Sequence, residues 1–454
     1  MSSLLLSGGR VVDPANRIDE TADVLVTDGR IAAVGPEAAA AANGTPEKID
    51  CSGMVVCPGL IDMQVHLREP GHSDKESIAS GTKAAAKGGF TSVICMPNTS
   101  PAIDSPGTAA FVKQKTDELA HINVFLTGAI TRGLEGEQMA AIGSLKQAGV
   151  VAITDGGRCV QNNEIMRRAM EYAAMFGLPV LDHCEDYALV SDGMMHEGYW
   201  SAVLGLHGWP AEGEEMIVAR NVLLAERTGC HVHCQNISAA GSVRLLREAK
   251  SRDIPISGEA CAHHFVLTDA AIGGSEHFWG ADGNGIHGYE GRSDLPAWPK
   301  YDTLFKVNPP LRSAVDREAI LAGLMDGTLE VLASDHAPHC DYQKDVEFDY
   351  APFGMTGLET SLALALMQLH ASGRLSLSQL IEKYTSNPAR ILKLDKGTLS
   401  LGADADITVI DPDLEWTFDP QDTASKSVNS PFYGWPLKGR ATMTICGGSV
   451  VWPE

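Results

Sequence analysis

Three short segments of the chain carry imidazole, carboxylate and guanidinium side chains that could act together on a substrate. The first reads DMQVHLREPG from Asp62, the second DHCED from Asp182, and the third SDHAPH from Ser334. His66 and Arg68 share one side of an extended strand, because alternate residues of a strand lie on the same face. Converging imidazole and carboxylate groups are what a Zn²⁺-type ion needs, and such an ion activates water near neutral pH. The three segments therefore point to a metal-assisted reaction, if the fold brings them to one place.

The middle of the chain alternates apolar strands with helical segments, and the residues above stand at the strand ends. Eight strands are predicted, in VCPGLIDMQVHL, TSVICMPN, NVFLTGAI, GVVAITDG, PVLDHCED, HVHCQNIS, ISGEACAHH and EVLASDHAP. This alternation predicts an α/β fold with a closed (β/α)₈ TIM-type barrel, whose carboxyl-terminal mouth would carry the site. An open doubly wound sheet is the alternative. The barrel is favoured because ligand-type residues end most strands and no glycine-rich phosphate loop follows any of them.

The two ends of the chain differ from the middle. Residues 1–56 and 396–454 read as short strands with Gly and Asp turns. We predict that they meet in a small β-sandwich, because chain termini often lie close together, and that residues 57–395 form the barrel. An insertion at about 273–301, rich in Gly, Trp and acidic residues, follows the seventh strand. A loop of this length is usually functional or disordered, so we consider a surface loop, a lid over the barrel mouth and an interface loop.

Composition limits the class of partner. The chain has 35 Lys+Arg against 58 Asp+Glu, a net charge of -23, which argues against nucleic acid and against an anionic membrane surface. No apolar stretch reaches membrane-spanning length, and the first residues do not resemble a signal peptide. The ten cysteines are scattered without a C-x-x-C pair, as expected of reduced thiols. We therefore expect a cytoplasmic protein that acts on a small molecule.

Longer motifs resemble the dihydroorotases of the amidohydrolase superfamily. The resemblance is carried by HLREPG, MPNT, NPPLR and DHAPH, and it continues in EACAHHFVLT, FDYAPFGMTGLET and SNPARILKL. It covers nearly the whole chain apart from the insertion. It implies a barrel with a β-sandwich, and reversible ring closure of N-carbamoyl-L-aspartate to L-dihydroorotate in pyrimidine biosynthesis. Related allantoinases and hydantoinases lack the arginine found here at position 68.

The resemblance also implies a metal site. His66, His183 and Asp335 match metal ligands of the family. Asp335 also matches the catalytic residue that moves a proton between hydroxide and the leaving nitrogen.

Four further residues match groups that bind the substrate. Arg68 and Asn98 match the pair that holds the substrate carboxylate, for which a guanidinium fork is well suited. Asn308 and His339 match additional substrate contacts. The other interpretation of Arg68 is a salt bridge to Glu69 or another acid.

Three positions depart from the family pattern and weaken the expected metal binding. Gln64 replaces the first histidine of a His-x-His motif, Asn236 replaces a histidine, and Gly156 falls by counting at the position of a bridging aspartate. An amide oxygen is a weak ligand for Zn²⁺ beside imidazole, and glycine offers none. Asp155 and His233 should face away, because an odd shift along a strand reverses the side-chain direction. The remaining ligands predict at most one Zn²⁺ per chain.

Two hypotheses follow. The first is an active dihydroorotase-like cyclic amidohydrolase with a mononuclear or depleted metal site, for which we consider a homodimer. The second is a non-catalytic dihydroorotase-like subunit that assembles with aspartate carbamoyltransferase. The ligand losses favour the second, whereas the retained Arg68 and Asp335 favour the first, because a purely structural subunit has no use for them. We favour the enzyme.

Overall fold

The computed structural model describes residues 3–42 and 44–453. Its strands are β1 Ser3–Asp13, β2 Ile18–Thr27, β3 Arg30–Gly35, β4 Glu47–Asp50, β5 Val55–Pro58, β6 Leu60–Val65, β7 Phe90–Cys95, β8 Asn123–Gly128, β9 Ala152–Ile153, β10 Val180–His183, β11 Met195–His196, β12 Gly208–Trp209, β13 Val232–Gln235, β14 Ile256–Cys261, β15 Val331–Ala333, β16 Ile407–Thr417, β17 Pro436–Cys446 and β18 Ser449–Trp452.

The α-helices cover the outside of the barrel and the loops at its mouth. They are α1 Ile78–Lys87, α2 Pro106–Leu119, α3 Ile142–Gln147, α4 Asn163–Met175, α5 Tyr187–Val190, α6 Tyr199–Leu204, α7 Glu212–Thr228, α8 Ala240–Lys250, α9 Ala262–Val266, α10 Ser275–Gly280, α11 Ala314–Met325, α12 Asp341–Lys344, α13 Ser361–Ala365, α14 Leu377–Tyr384 and α15 Ser386–Leu392. No helix in the described part of the chain is long and apolar enough to cross a membrane.

Eight parallel strands form the predicted barrel. Their order is β6-β7-β8-β9-β10-β13-β14-β15, and the ends of this path also meet. Val65 pairs in parallel with His336, and the His66 N–H donates to the His336 carbonyl at 3.0 Å. This contact joins the first strand to the segment after the last one. The barrel is therefore closed, and the open doubly wound alternative is wrong.

Local sequence explains the barrel elements. Every residue of β6 and β7 is buried, as expected of parallel strands covered on both faces. Helix α1 begins at a capping box, in which Ser77 and Ser80 each accept a hydrogen bond from the other's backbone N–H. Helix α7 has three glutamates in its first turn and ends at Gly229, whose φ of 69° suits a left-handed cap.

The two chain ends come together, as predicted, and the predicted small β-sandwich takes the form of one mixed sheet. Its strand order is β18-β17-β16-β5-β1-β2-β3, and β4 pairs with β1. Antiparallel pairing of β5 with β16 joins the N-terminal and C-terminal strands, with Ile407 opposite Pro58. Apolar side chains from both ends form a core separate from that of the barrel.

A buried ion pair fastens this sheet region to the barrel. Lys87 Nζ in α1 lies 2.8 Å from Glu359 Oε2, and each side chain is 5% exposed. The other oxygen, Glu359 Oε1, accepts hydrogen bonds from Thr423 Oγ1 and from the N–H groups of Ala424 and Ser425. The pair therefore ties the first barrel helix to the chain between β16 and β17.

The insertion packs through its aromatic side chains. Trp279, Tyr289 and Trp298 surround Trp435, with ring centroids 5.1, 5.2 and 6.0 Å from it. Both insertion tryptophans also donate their indole N–H to a backbone carbonyl at 2.8 Å. We define these four side chains as the aromatic cluster. It attaches the insertion to the chain immediately before β17.

Candidate active site

A cavity of about 720 Å³ opens at the carboxyl ends of the barrel strands. The seven residues predicted to bind metal or substrate all line it: His66, Arg68, Asn98, His183, Asn308, Asp335 and His339. The three substituted positions, Gln64, Gly156 and Asn236, line it as well. The fold thus brings together residues that are up to 273 positions apart in the chain, from His66 to His339.

Several backbone segments at this cavity are strained. Arg68, Asn236 and Asp335 have φ values of 61°, 51° and 46°, in the left-handed region that residues other than glycine seldom adopt. Such conformations cluster at functional sites, where the surrounding structure holds them. Here the positive φ values set the direction of the three side chains, which follow β6, β13 and β15 respectively.

Asp62 holds the ends of the first and last barrel strands together. Its carboxylate accepts hydrogen bonds from the N–H groups of Gln64 at 3.0 Å and Ser334 at 3.2 Å. Burial raises the pKa of Asp62 to about 7, against the opposing effect of these hydrogen bonds. The residue therefore positions the strand ends that carry His66 and Asp335.

His66 and Asp335 face each other as two electron-pair donors. His66 Nδ1 and Asn98 Oδ1 are 3.0 Å apart, so Nδ1 carries the proton and donates to the amide oxygen. The lone pair of Nε2 then faces Asp335 Oδ1 at 3.4 Å. Two ligands of one zinc ion, each about 2.0–2.2 Å from the metal, have such a separation. The arrangement fits a cation shared by the two side chains.

His183 is oriented by a different pair of residues. Its Nε2 lies 2.9 Å from Asn308 Oδ1 and 3.4 Å from Glu185 Oε2, and Asn308 Nδ2 donates to the same Glu185 oxygen at 3.1 Å. Nε2 therefore carries the proton, and the lone pair is on Nδ1, which is buried without a hydrogen-bond partner among the described residues. Burial acts to lower the pKa of His183, but Glu185 and Asp335 raise it overall. A bound metal would satisfy Nδ1.

The substituted positions do not restore the missing ligands. Gln64 Nε2 donates to Asp335 Oδ1 at 3.0 Å, so an amide N–H lies beside the carboxylate. Asn236 Oδ1 accepts from the Cys261 thiol at 3.2 Å. The donor atoms of His66, His183 and Asp335 do not all lie within 4.8 Å of one another, so holding one ion would require the side chains to move together, and the set contains no bridging carboxylate for a second ion.

Side chains at Gly156 and Gly157 would point in different directions. A Cβ on Gly156 would lie 2.8 Å from Pro97 Cδ, whereas a Cβ on Gly157 would lie 4.0 Å from His66 Cε1 and Asn98 Nδ2. The reason is that the backbone turns at Gly156 and Gly157, where φ is 48° and 76°. The alternation of side chains along a strand does not predict the direction of side chains in such a turn. Both positions are glycine, so the bridging carboxylate is absent in either assignment.

Arg68 presents a partly buried guanidinium to the cavity. Its Nε donates to the Pro338 carbonyl at 3.2 Å, and it forms no ion pair with Glu69 or another acid among the described residues. The salt-bridge interpretation is therefore wrong. Burial lowers the pKa of Arg68 to about 10, opposed by Asp335 and Glu76, so the group stays charged at neutral pH.

His339 is neutral, with both ring nitrogens engaged. Nε2 donates to the Phe353 carbonyl at 2.9 Å, and Nδ1 lies 3.4 Å from Lys75 Nζ. Burial, together with Arg68 and Lys75, lowers the pKa of His339 to about 2. Contact with a substrate would require one of these hydrogen bonds to be exchanged.

Sequence reasoning missed three basic residues near the site. Lys75 contacts His339, and His72 and Arg158 line the cavity. Arg158 directly follows the Gly156-Gly157 turn, and a cation just after a barrel strand could have identified it.

Asp155 and His233 face away from the cavity, as predicted. Asp155 Oδ1 accepts from the Thr131 N–H at 2.9 Å. His233 lies between Ser257 Oγ at 2.8 Å and Glu259 Oε2 at 3.0 Å.

The insertion does not cover the barrel mouth. None of the described side chains of residues 273–301 lines the cavity. The lid interpretation is therefore wrong for this conformation, because the aromatic cluster holds the insertion elsewhere.

Comparison with known proteins gives the same family over the whole chain. The family model described as dihydro-orotase-like matches residues 53–242, and the amidohydrolase family model matches residues 327–452. The dihydroorotase of Pelotomaculum thermopropionicum is 51% identical over 449 residues, covering 99% of this chain and 98% of the relative. The dihydroorotase of Citrifermentans bemidjiense is 49% identical over 450 residues, covering 99% of each chain.

Solved structures share the fold. The L-hydantoinase (dihydropyrimidinase) of Arthrobacter aurescens superposes with a TM-score of 0.84 at 25% identity, covering 99% of this chain and 96% of that one. The dihydropyrimidinase of Brevibacillus agri has a TM-score of 0.80 at 21% identity, covering 99% and 94%. The barrel with an attached terminal sheet is thus common to these proteins and to this chain.

Proposed function

The chain belongs to the dihydroorotase family of amidohydrolases, and from that premise we propose that it interconverts N-carbamoyl-L-aspartate and L-dihydroorotate in pyrimidine biosynthesis. The observation that carries the proposal is the charged, partly buried Arg68 in the same cavity as His66 and Asp335. The non-catalytic alternative is not favoured, because the full-length relatives are named dihydroorotases.

Arg68 and Asn98 would bind the substrate carboxylate. The guanidinium offers a planar fork of N–H donors, and its charge is only partly screened in the partly buried cavity wall. Asn98 uses Oδ1 to accept from His66, which leaves its Nδ2 donors for the carboxylate. His339 and Asn308 would contact the rest of the ring, after exchange of the hydrogen bonds that they now make.

We propose one Zn²⁺ per chain, held by His66 Nε2, His183 Nδ1 and an oxygen of Asp335. The family consists of metalloenzymes, and the three donors carry lone pairs or charge in the required tautomers. A bound zinc ion would act as a Lewis acid toward the ring amide and lower the pKa of water. Asn98 and Asn308 would hold the two imidazoles in place through the ring nitrogens that do not bind metal.

Asp335 would move the proton. As water attacks the ring carbonyl, Asp335 takes a proton from it and returns that proton to the ring nitrogen when the C–N bond breaks. The hydrogen bond from Gln64 Nε2 fixes the carboxylate for both steps. Ring closure uses the same residues in reverse.

The test is to measure dihydroorotate hydrolysis and metal content on the same purified protein. We expect turnover that depends on metal, and a loss of about 10²- to 10⁴-fold in kcat for Asp335→Asn, the usual contribution of a general acid–base. Asp345→Asn, at an exposed carboxylate, is the matched control. A folded, metal-loaded protein without turnover would reject the proposal and favour the non-catalytic subunit.

We further propose that the protein is cytoplasmic and forms a homodimer, with aspartate carbamoyltransferase as the alternative partner. Exposed apolar side chains on the outer helices support an association surface, among them Tyr199 at 72%, Met216 at 58% and Leu223 at 65% exposure. Light scattering of the purified chain, alone and with aspartate carbamoyltransferase, distinguishes the two partners.

A further inference from the structure

A second set of ligand-type side chains lies next to the cavity, at the end of the seventh barrel strand. Cys261 is the last residue of β14, and His263 and His264 follow in α9. One ligand atom from each lies within 4.8 Å of the others, and this is the one such group of three among the described residues. All three side chains are buried, with exposures of 0%, 2% and 4%. We define them as the Cys-His-His cluster.

The two histidines have ring nitrogens without partners. His264 Nε2 lies 3.0 Å from the Pro309 carbonyl, so it carries the proton and leaves a lone pair on Nδ1. That Nδ1 is buried without a hydrogen-bond partner, and so is His263 Nε2. Buried polar atoms are nearly always satisfied, so an unsatisfied nitrogen on each of two rings whose centroids are 4.3 Å apart requires an explanation. A histidine that serves only to fill the core would be expected to have a partner.

The thiol of Cys261 also lies beside an oxygen donor. Its Sγ is 3.2 Å from Asn236 Oδ1, which accepts its proton. Asn236 has a φ of 51° and lines the active-site cavity. The cluster is therefore separated from the cavity by the Asn236 side chain.

We propose that Cys261, His263 and His264 bind one Zn²⁺, with Asn236 Oδ1 as the fourth ligand. One thiolate and two imidazoles form a donor set that zinc prefers, and a closed set of four ligands is typical of a structural zinc site. On binding, the Cys261 sulfur–hydrogen bond breaks, its proton goes to solvent, and the sulfur electron pair is shared with the metal.

The geometry requires only local movement. In a tetrahedral zinc site, with metal–sulfur and metal–nitrogen distances of about 2.3 and 2.0 Å, the sulfur and nitrogen ligands lie about 3.5 Å apart. The ligand atoms of the cluster now lie up to 4.8 Å apart, so the longest of these separations has to shorten by about 1 Å. Side-chain rotation within the cluster covers that distance. Since the site is buried, zinc would enter as the chain folds.

This site is independent of the proposed reaction and of the ion proposed for His66, His183 and Asp335. That ion has no sulfur ligand, so a probe of metal–sulfur bonding reports on the Cys-His-His cluster alone. Zinc here would fix the orientation of Asn236 in the cavity wall.

The experiment is to produce the full chain in medium that contains Co²⁺ in place of zinc and to record its absorption spectrum. A thiolate-to-cobalt charge-transfer band is expected in the near ultraviolet for the parent protein. Cys261→Ser should abolish the band and lower the metal content by one ion per chain. Cys230→Ser, which removes another buried thiol, should retain both.

The outcomes separate this site from the catalytic one. A band that is absent from the folded, cobalt-containing parent, or one that survives in Cys261→Ser, would overturn the inference. If Cys261→Ser does not fold, zinc X-ray absorption of the parent decides, because a sulfur neighbour at about 2.3 Å supports the site and its absence rejects it. The result is independent of turnover, so a failure of the dihydroorotase proposal leaves it unchanged.

Discussion

Arg68→Met should weaken the binding of L-dihydroorotate by about 1.5–3 kcal/mol, or roughly 10- to 140-fold in Kd. The guanidinium lines the cavity, is anchored through Nε to Pro338, and forms no ion pair within the described structure. Its remaining donors are therefore available to the carboxylate. Methionine keeps the apolar stem and removes the charge and the donors, so the loss corresponds to a hydrogen bond between charged groups.

Isothermal titration calorimetry on the parent and the variant measures this loss. Arg132→Met is the matched control, because Arg132 is exposed and follows β8 at the same end of the barrel. Arg68→Lys should bind less tightly than the parent and more tightly than Arg68→Met, since lysine keeps the charge without the fork. Equal affinity of parent and Arg68→Met would refute the reasoning. Comparable weakening in Arg132→Met would show a general effect of charge.

Three further predictions concern stability. Lys87→Met should lower the free energy of unfolding, measured by urea denaturation, by about 3–5 kcal/mol, because it leaves the buried Glu359 carboxylate without its cation. Lys113→Met, at an exposed ion pair, is the control and should change the free energy of unfolding by less than about 1 kcal/mol. Burial lowers the pKa of His231 to about 4, so the unfolded chain binds more protons than the folded one between pH 6.5 and 4. The contribution of His231 to the free energy of unfolding should thus fall by about 2 kcal/mol from pH 7 to 5. His231→Gln should remove this pH dependence of the unfolding free energy, whereas His121→Gln should retain it. Gly156→Asp should lower the unfolding free energy by about 1–3 kcal/mol, since φ is 48° and the new Cβ meets a proline ring; unchanged thermal stability would contradict this.

The sequence was most informative where chemistry and periodicity coincide. His66, His183 and Asp335 stand at strand ends, so a closed barrel necessarily directs them to one mouth. Alternation along a strand also predicted that Asp155 and His233 face away. These inferences need only the local geometry of a strand.

Other features depend on backbone turns or on distant parts of the chain. The different directions of side chains at Gly156 and Gly157 follow from positive φ values, which counting along the sequence cannot detect. The orientation of His183 depends on Asn308, which is 125 residues away in sequence. The position of the insertion depends on Trp435, a residue that no local motif connects to it.

The aromatic cluster also affects the order in which the chain can fold during synthesis. Trp435 leaves the ribosome more than 130 residues after Trp298. The time between the synthesis of the insertion tryptophans and that of Trp435 is therefore on the order of ten seconds. Throughout that interval a nascent chain would display large apolar rings to the cell. Chaperone binding is thus expected to peak once residue 301 has emerged and to fall after residue 435, and ribosome-bound chains stalled at these two lengths would show whether it does.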